Sequence, residues 1–326
     1  MSTLNNEMGF FTRPEKSFSE AMKDAWKAAQ SGRSPMEAHF ETDSLSEESA
    51  RQRFEALNAA GRFFYGSLSI IVLYLADTTT LPYVYADDPD ALTTRRWVFY
   101  YIFINLTLNY LLVIFQLSKY KPDALPTVAP KEWWKYCDRC KDRIPTRAHH
   151  CPLCFACILR RDHHCFFAGV CISYNNQRYF VVALTYILVG CLYSLWLSNK
   201  YLSGTYRAMF SSEWYYFLPP VMLYDFVFGI ATIKVLLICV IGFFSFSAGL
   251  TAAYYLTMQI LLIIRGQTTH EFGKGIITYR RGLKHNIESV FGPICLVPFY
   301  FIFPVVYCVK PKGNGLEWET VNGKKV

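Results

Sequence analysis

The chain has 326 residues, 52% of them hydrophobic and 18% charged, with 26 Phe, 23 Tyr and a mean hydropathy of +0.16. That composition excludes a pair of ordinary soluble domains and points to an integral membrane protein. The formal net charge of +8 would suggest nucleic acid on a soluble domain. Beside membrane spans, Lys and Arg mark the cytosolic side and attract anionic lipid, so no nucleic-acid partner is expected.

Residues 1–58 read as a polar cytosolic tail with no signal-peptide pattern. Within it Phe18, Met22 and Trp26 recur every fourth residue, as on one face of a short helix. A charged stretch capped by Ser44 or Ser46 then leads into a first span over 59–80. An acidic loop at 86–90 precedes a second span over 97–117. Asn105 and Asn109 lie four apart in that span, on a face too costly to present to lipid and therefore turned inward. The Lys- and Arg-rich segment 118–178 is placed in the cytosol by its charge. A third span follows over 179–198, and then an aromatic lumenal loop over 199–228 whose paired Pro219 and Pro220 break regular structure. A single long helix over 229–264 forms the fourth span. The region 265–326 returns to the cytosol, and its short apolar run at 293–309 reads as an interfacial or packed segment. No internal repeat is evident. The expected fold is an all-α integral membrane protein of four transmembrane helices, with a cytosolic zinc-binding cysteine-rich domain between the second and third.

Seven of the eleven cysteines and four of the seven histidines fall between Cys137 and Phe180. Cys137 with Cys140, and Cys151 with Cys154, have the spacing at which one turn brings two thiolates to a tetrahedral ion such as zinc. A reducing cytosol tolerates such a set. With His149 set aside, the candidates in order are Cys137, Cys140, His150, Cys151, Cys154, Cys157, His163, His164, Cys165 and Cys171. Two closed sites use eight of them and leave one Cys and one His over, and spacing leaves open which later residues close which site. The surplus falls in the consecutive residues Asp162, His163, His164 and Cys165. A nucleophilic thiol needs a base within hydrogen-bond reach, itself oriented by a third group. Asp162, His163 and Cys165 supply that order if His164 faces a metal, and Arg160, Arg161 and a nearby ion favour the thiolate. A soft nucleophile at a membrane surface, beneath apolar spans able to hold a long chain, suggests thioester chemistry.

These residues resemble the cysteine-rich domain of the DHHC protein S-acyltransferases (palmitoyltransferases). The matching positions are Cys137 and Cys140, Pro145, Arg147, His150, Cys151, Cys154 and Cys157, the tetrad from Asp162 to Cys165, Cys171, and then Asn176, Arg178 and Phe180. Thr268, Thr269 and Glu271 match the family's TTxE motif, and Asn286 before Gly292 its C-terminal asparagine motif, so the resemblance covers about residues 60–292. It implies one zinc ion on Cys137, Cys140, His150 and Cys157, and a second on Cys151, Cys154, His164 and Cys171, both structural. It also implies that Cys165 takes the acyl group of palmitoyl-CoA or a similar acyl-CoA, with His163 as base and Asp162 orienting it. The group would then pass to cysteine thiols of substrate proteins near the bilayer. Thr268, Thr269 and Glu271 would position that site, and Asn286 would serve as a structural hydrogen-bonding residue. Phe166 and Phe167 stand where the family has Pro and Trp, with Phe167 expected to line an apolar channel for the acyl chain. The resemblance further implies a multi-pass protein of the endoplasmic reticulum or Golgi with both termini cytosolic. A membrane scaffold of little or no activity, binding partners through its zinc domain, is the competing reading. A channel or transporter is disfavoured by the scarcity of ionisable residues in the apolar runs.

Overall fold

The computed structural model describes residues 47–120, 131–302 and 311–324. The segment around Phe18, the caps at Ser44 and Ser46, and residues 303–309 of the apolar run at 293–309 lie outside these. Helix α1 (Glu47–Leu75) passes through a π-helical turn (Ala76–Thr80) into the short α2 (Leu81–Val84). Helix α3 (Pro89–Phe115) follows, then α4 (Gln177–Thr205), α5 (Pro219–Val227) and α6 (Ile233–Arg265). Among the described residues, four stretches are apolar and long enough to cross a membrane, Arg51–Val84, Pro89–Phe115, Gln177–Thr205 and Ile233–Arg265. A hydrocarbon core needs only about 20 helical residues, so each has length to spare. The chain is thus a multi-pass membrane protein of the expected architecture, with its Cys/His module between the second and third long helices.

The helices run past the expected limits where caps and prolines allow. The Asp88 side chain accepts from the Ala91 N–H at 2.9 Å and Pro89 sits in the first turn, so much of the acidic loop is the start of α3. Helix α4 continues to Thr205. Pro219 and Pro220 open α5 instead of breaking structure, because the first turn of a helix needs no N–H donor.

Helix α4 packs between α3 and α6, burying Ile102, Val181, Val182, Tyr186 and Ile263 together. Phe63, Ile70, Ile104, Phe243 and Leu250 stay exposed on the outer faces, as expected against lipid. Asn105 and Asn109 are each only 1% exposed. Each amide donates at 2.9 Å to the carbonyl four residues earlier, so the donors of this inward polar face are paired within its own helix, while Asn105 Oδ1 is buried without a partner.

The module between α3 and α4 consists of three antiparallel hairpins. They are β1 (Lys135–Cys137) with β2 (Asp142–Ile144), β3 (His149–Cys151) with β4 (Ala156–Ile158), and β5 (His163–Cys165) with β6 (Val170–Ile172). They form a repeat that sequence reading missed. Cys137, Cys151 and Cys165 stand 14 residues apart and each ends a first strand. Four positions later Lys141, Phe155 and Gly169 all adopt positive φ, at 55°, 48° and 64°. Ile144, Ile158 and Ile172 end the second strands and are all buried. Few other positions keep their identity, so the repeat shows in backbone conformation rather than in composition.

Buried polar contacts fasten the module to the helices. Asn176 donates to the carbonyls of Val113 and Cys171 at 2.9 and 3.0 Å and accepts from the Ser173 N–H, tying the end of α3 to the third hairpin. Beyond α6, the short α7 (Thr269–Gly273) carries Glu271, which Arg147 grips through Nε at 2.7 Å and Nη2 at 2.6 Å. The Arg147 guanidinium also lies over the rings of Tyr279 and Trp318 at 4.4 and 4.5 Å. Helix α8 (Leu283–Phe291) carries Asn286, whose amide donates to the carbonyls of Ile264 and Arg281. Within the described part of the last apolar run, α9 (Val297–Tyr300) packs inward, and the Tyr300 hydroxyl accepts from Arg178 at 3.3 Å.

The Arg147 and Glu271 side chains are 2% and 4% exposed. Glu271→Ala therefore leaves a buried, unpaired guanidinium, at a cost of about 3–5 kcal/mol. Thermal unfolding of the purified protein is expected to show a large loss of stability for Glu271→Ala and a much smaller one for Arg147→Met combined with Glu271→Leu.

Candidate active site and metal centres

The hairpin turns set the geometry. Ligand atoms of Cys137, Cys140, His150 and Cys157 converge within 4.8 Å of one another, as do those of Cys151, Cys154, His164 and Cys171. In the first cluster His150 Nδ1 lies 3.3 Å from Cys140 Sγ and 3.9 Å from Cys157 Sγ, with the two sulfurs 3.4 Å apart. In the second, His164 Nδ1 lies 3.3, 3.7 and 3.8 Å from the sulfurs of Cys154, Cys151 and Cys171. A tetrahedral zinc with ordinary Zn–S and Zn–N bonds has edges of about 3.5–3.8 Å, so both donor sets fit such an ion. The other ring nitrogen of His164, Nε2, faces Asn58 Oδ1 at 3.4 Å, the kind of outer contact that fixes a ligand's tautomer.

Each cluster joins two hairpins. The first takes the β1–β2 turn and the paired residues His150 and Cys157 of β3 and β4; the second takes the β3–β4 turn and the paired His164 and Cys171 of β5 and β6. The third turn begins with Cys165 but has Ala168 where the other two have Cys140 and Cys154. No closed cluster can form there, and the Cys165 thiol is left outside both metal centres.

The Cys165 turn is braced from the long helices. The Tyr110 hydroxyl of α3 donates to the Phe167 carbonyl at 2.6 Å. A Cβ on Gly61 of α1 would come within 3.0 Å of the Phe166 carbonyl oxygen, and one on Gly169 within 2.9 Å of Asn58 Cβ. Only glycine allows this approach, and at Gly169 the positive φ as well. Phe166 packs edge-on to His164 with ring centroids 5.5 Å apart. Phe167, expected to line an acyl channel, is 56% exposed.

His163 lies between Asp162 and Cys165. Its Nδ1 is 2.8 Å from Asp162 Oδ2, Cys165 lies close enough to influence its proton affinity, and Tyr255 stacks on it at 5.9 Å. Asp162 is 2% exposed and accepts from further donors: the Thr269 N–H at 2.7 Å, the Thr269 hydroxyl at 3.0 Å and Gln259 Nε2 at 2.8 Å. Burial alone would raise the Asp162 carboxyl, but the hydrogen bond and charge of His163 with those of Thr269 and Gln259 hold it below its usual value. Burial likewise disfavours a charged His163, yet the contacts with Asp162 and Cys165 outweigh it and raise the ring to about 9.

Thr268 and Glu271 form a reciprocal capping box at the start of α7, with Glu271 accepting from the Thr268 N–H at 2.8 Å and Thr268 Oγ1 from the Glu271 N–H at 3.2 Å. This box aims the Thr269 N–H at Asp162, while Glu271 holds Arg147. Asn286 contacts neither cluster and closes the end of α6. Sequence reading missed Gln259 and Asn58. Gln259 carried a usable signal, being an amide inside a membrane-length apolar run.

Above the site, a cavity of about 150 Å³ opens among all four long helices, with Tyr65, Leu68, Ile102, Leu106, Cys191 and Phe244 in its lining. Tyr65 stacks on Tyr110 at 4.1 Å, so one aromatic layer separates this cavity from the turn that carries Cys165. Phe167 is not part of the lining.

A thiol beside a His–Asp pair, held on two Cys/His clusters beneath an apolar cavity in a membrane protein, is an arrangement chemically capable of covalent group transfer at a bilayer surface. Residues 131–276 match the family described as DHHC palmitoyltransferase. The chain is 32% identical to Palmitoyltransferase ZDHHC22 of Homo sapiens over 252 residues, covering 72% of this chain and 89% of that one. It is 31% identical to Probable palmitoyltransferase ZDHHC24 of Rattus norvegicus over 194 residues, covering 57% of this chain and 64% of the relative. The chain belongs to the DHHC palmitoyltransferase family, and membership together with the two clusters supports acyltransferase activity of this type in general.

Metal analysis of the purified protein is expected to find about two ions per chain, from the two donor sets. Cys154→Ala should lose metal and stability together, whereas Cys165→Ala should keep its full metal content.

Proposed function

We propose that this protein is a protein S-acyltransferase that carries a fatty acyl group from acyl-CoA to cysteine thiols of substrate proteins through an acyl-Cys165 intermediate. The observation that carries the proposal is the line from Asp162 through His163 to the one cysteine of the module outside both clusters, next to an apolar cavity. The Cys165 thiolate is the form that attacks. The sulfur adds to the thioester carbonyl, and the tetrahedral adduct collapses with breakage of the carbonyl–sulfur bond of CoA. The departing CoA thiolate takes the proton of His163. The neutral ring then accepts the proton of the incoming protein thiol, whose sulfur displaces Cys165 and restores the starting state. Thioester replaces thioester at each step, and no redox partner is required. Asp162 keeps the ring turned toward Cys165 and stabilises it when charged.

In this reading the clusters Cys137, Cys140, His150, Cys157 and Cys151, Cys154, His164, Cys171 each hold a structural zinc ion, which folds a segment with little core of its own. Thr268, Thr269 and Glu271 hold Asp162 and Arg147 in place, and Asn286 supports them from below. The acyl chain occupies the cavity among the long helices. The basic module faces the cytosol of an endoplasmic reticulum or Golgi membrane, where it meets substrate cysteines close to the bilayer.

Incubation with palmitoyl-CoA is expected to give a hydroxylamine-labile adduct on the wild type and none on Cys165→Ser. His163→Gln should slow adduct formation by about 10²–10⁴-fold, the usual range for a lost acid–base group. A wild type without adduct, or an adduct that persists in Cys165→Ser, would leave the scaffold reading in its place.

A further inference from the structure

We infer that Gln259, oriented by Gln177, is a positioning residue for the Asp162–His163 pair. The inference rests on the acyl-transfer reading above. Gln259 lies on α6 and is 1% exposed; Gln177 opens α4 and is 2% exposed. Gln177 Nε2 donates to Gln259 Oε1 at 2.8 Å, and Gln259 Nε2 donates to Asp162 Oδ2 at 2.8 Å. The polarity of this chain runs one way. An ionised Asp162 can only accept, so the nitrogen of Gln259 must face it, and the Gln259 oxygen is then turned toward the donor on Gln177.

The carboxylate is held from two helices. Thr269 of α7 binds both oxygens, its N–H on Oδ1 at 2.7 Å and its hydroxyl on Oδ2 at 3.0 Å, while Gln259 of α6 adds a second donor to Oδ2, the oxygen that faces His163. The last torsion of an Asp side chain is broad and roughly two-fold, so the donors around it set its plane. Gln259 approaches Oδ2 from a different helix than Thr269 does, and the two together fix the direction of the hydrogen bond to His163 Nδ1. Gln259 reaches neither Cys165 nor the cavity lining, so its effect must pass through Asp162. The same two glutamines join α4 and α6, two of the walls of the cavity, to the buried carboxylate.

The test compares wild type, Gln259→Leu, Gln177→Leu and the double variant, full-length and purified, with palmitoyl-CoA and a cysteine peptide as acceptor. Gln259→Leu is expected to lower kcat by about 10–100-fold, the scale of a small misplacement in a reacting array. Its KM for palmitoyl-CoA should stay within about twofold and its metal content should match wild type. Gln177→Leu should show a smaller fall in kcat, and the double variant should be no worse than Gln259→Leu, because both act through one bond. An unchanged kcat in Gln259→Leu, a loss that arrives with raised KM and lost metal, or losses that multiply in the double variant would each overturn the inference. If Gln259→Leu does not fold, an unchanged kcat in Gln177→Leu overturns it alone. Absence of any adduct on wild type would instead defeat the acyl-transfer reading itself.

Discussion

The structure depends on eight side chains meeting in two clusters. Each strand of the module is three residues long and each hairpin stands as its own two-stranded sheet, which is too little to hold together in water. The clusters supply the missing constraint, and they interleave. The middle hairpin gives two ligands to each, so the first and third hairpins are fixed relative to one another through it. The free thiol follows from the same scheme. A third hairpin with no fourth to close against, and Ala168 in place of a second cysteine, holds Cys165 in a rigid turn with no metal.

What turns a stable module into a candidate reaction site is its attachment to the helices by buried polar groups. Asn176 joins the third hairpin to the end of α3, Arg147 joins the second hairpin's approach to α7, and Asp162 is gripped from both α6 and α7. Each of these groups is costly to bury unpaired, so the arrangement tolerates little slippage between module and helices. The raised proton affinity of His163 depends on this. Without the ionised Asp162 beneath it, burial would favour the neutral ring.

Much of this could be read in the sequence, and the missing parts share a cause. Long apolar runs and Cys-x2-Cys spacing are local signals, and they identified the four-helix plan and the candidate ligands. Spacing could not pair His150 with Cys157 or His164 with Cys171, because those pairings arise from strand register. The 14-residue repeat escaped notice because a left-handed turn position is occupied by Lys141, Phe155 and Gly169, three residues with no chemistry in common. Pro219 and Pro220 looked like breakers because proline also begins helices, and only the flanking structure separates the two uses. Gln259 and Asn58 reach their partners across 97 and 106 residues of chain, a separation no local pattern can bridge.

The central claim is that Cys165 carries the acyl group as a competent intermediate. Protein acylated with radiolabelled palmitoyl-CoA, freed of donor by rapid gel filtration and then mixed with an acceptor cysteine peptide, tests it most directly. The account predicts that label leaves Cys165 and appears on the peptide in equal amount with no acyl-CoA present. Label that stays on the protein, with the peptide acylated only when acyl-CoA is returned, would contradict it.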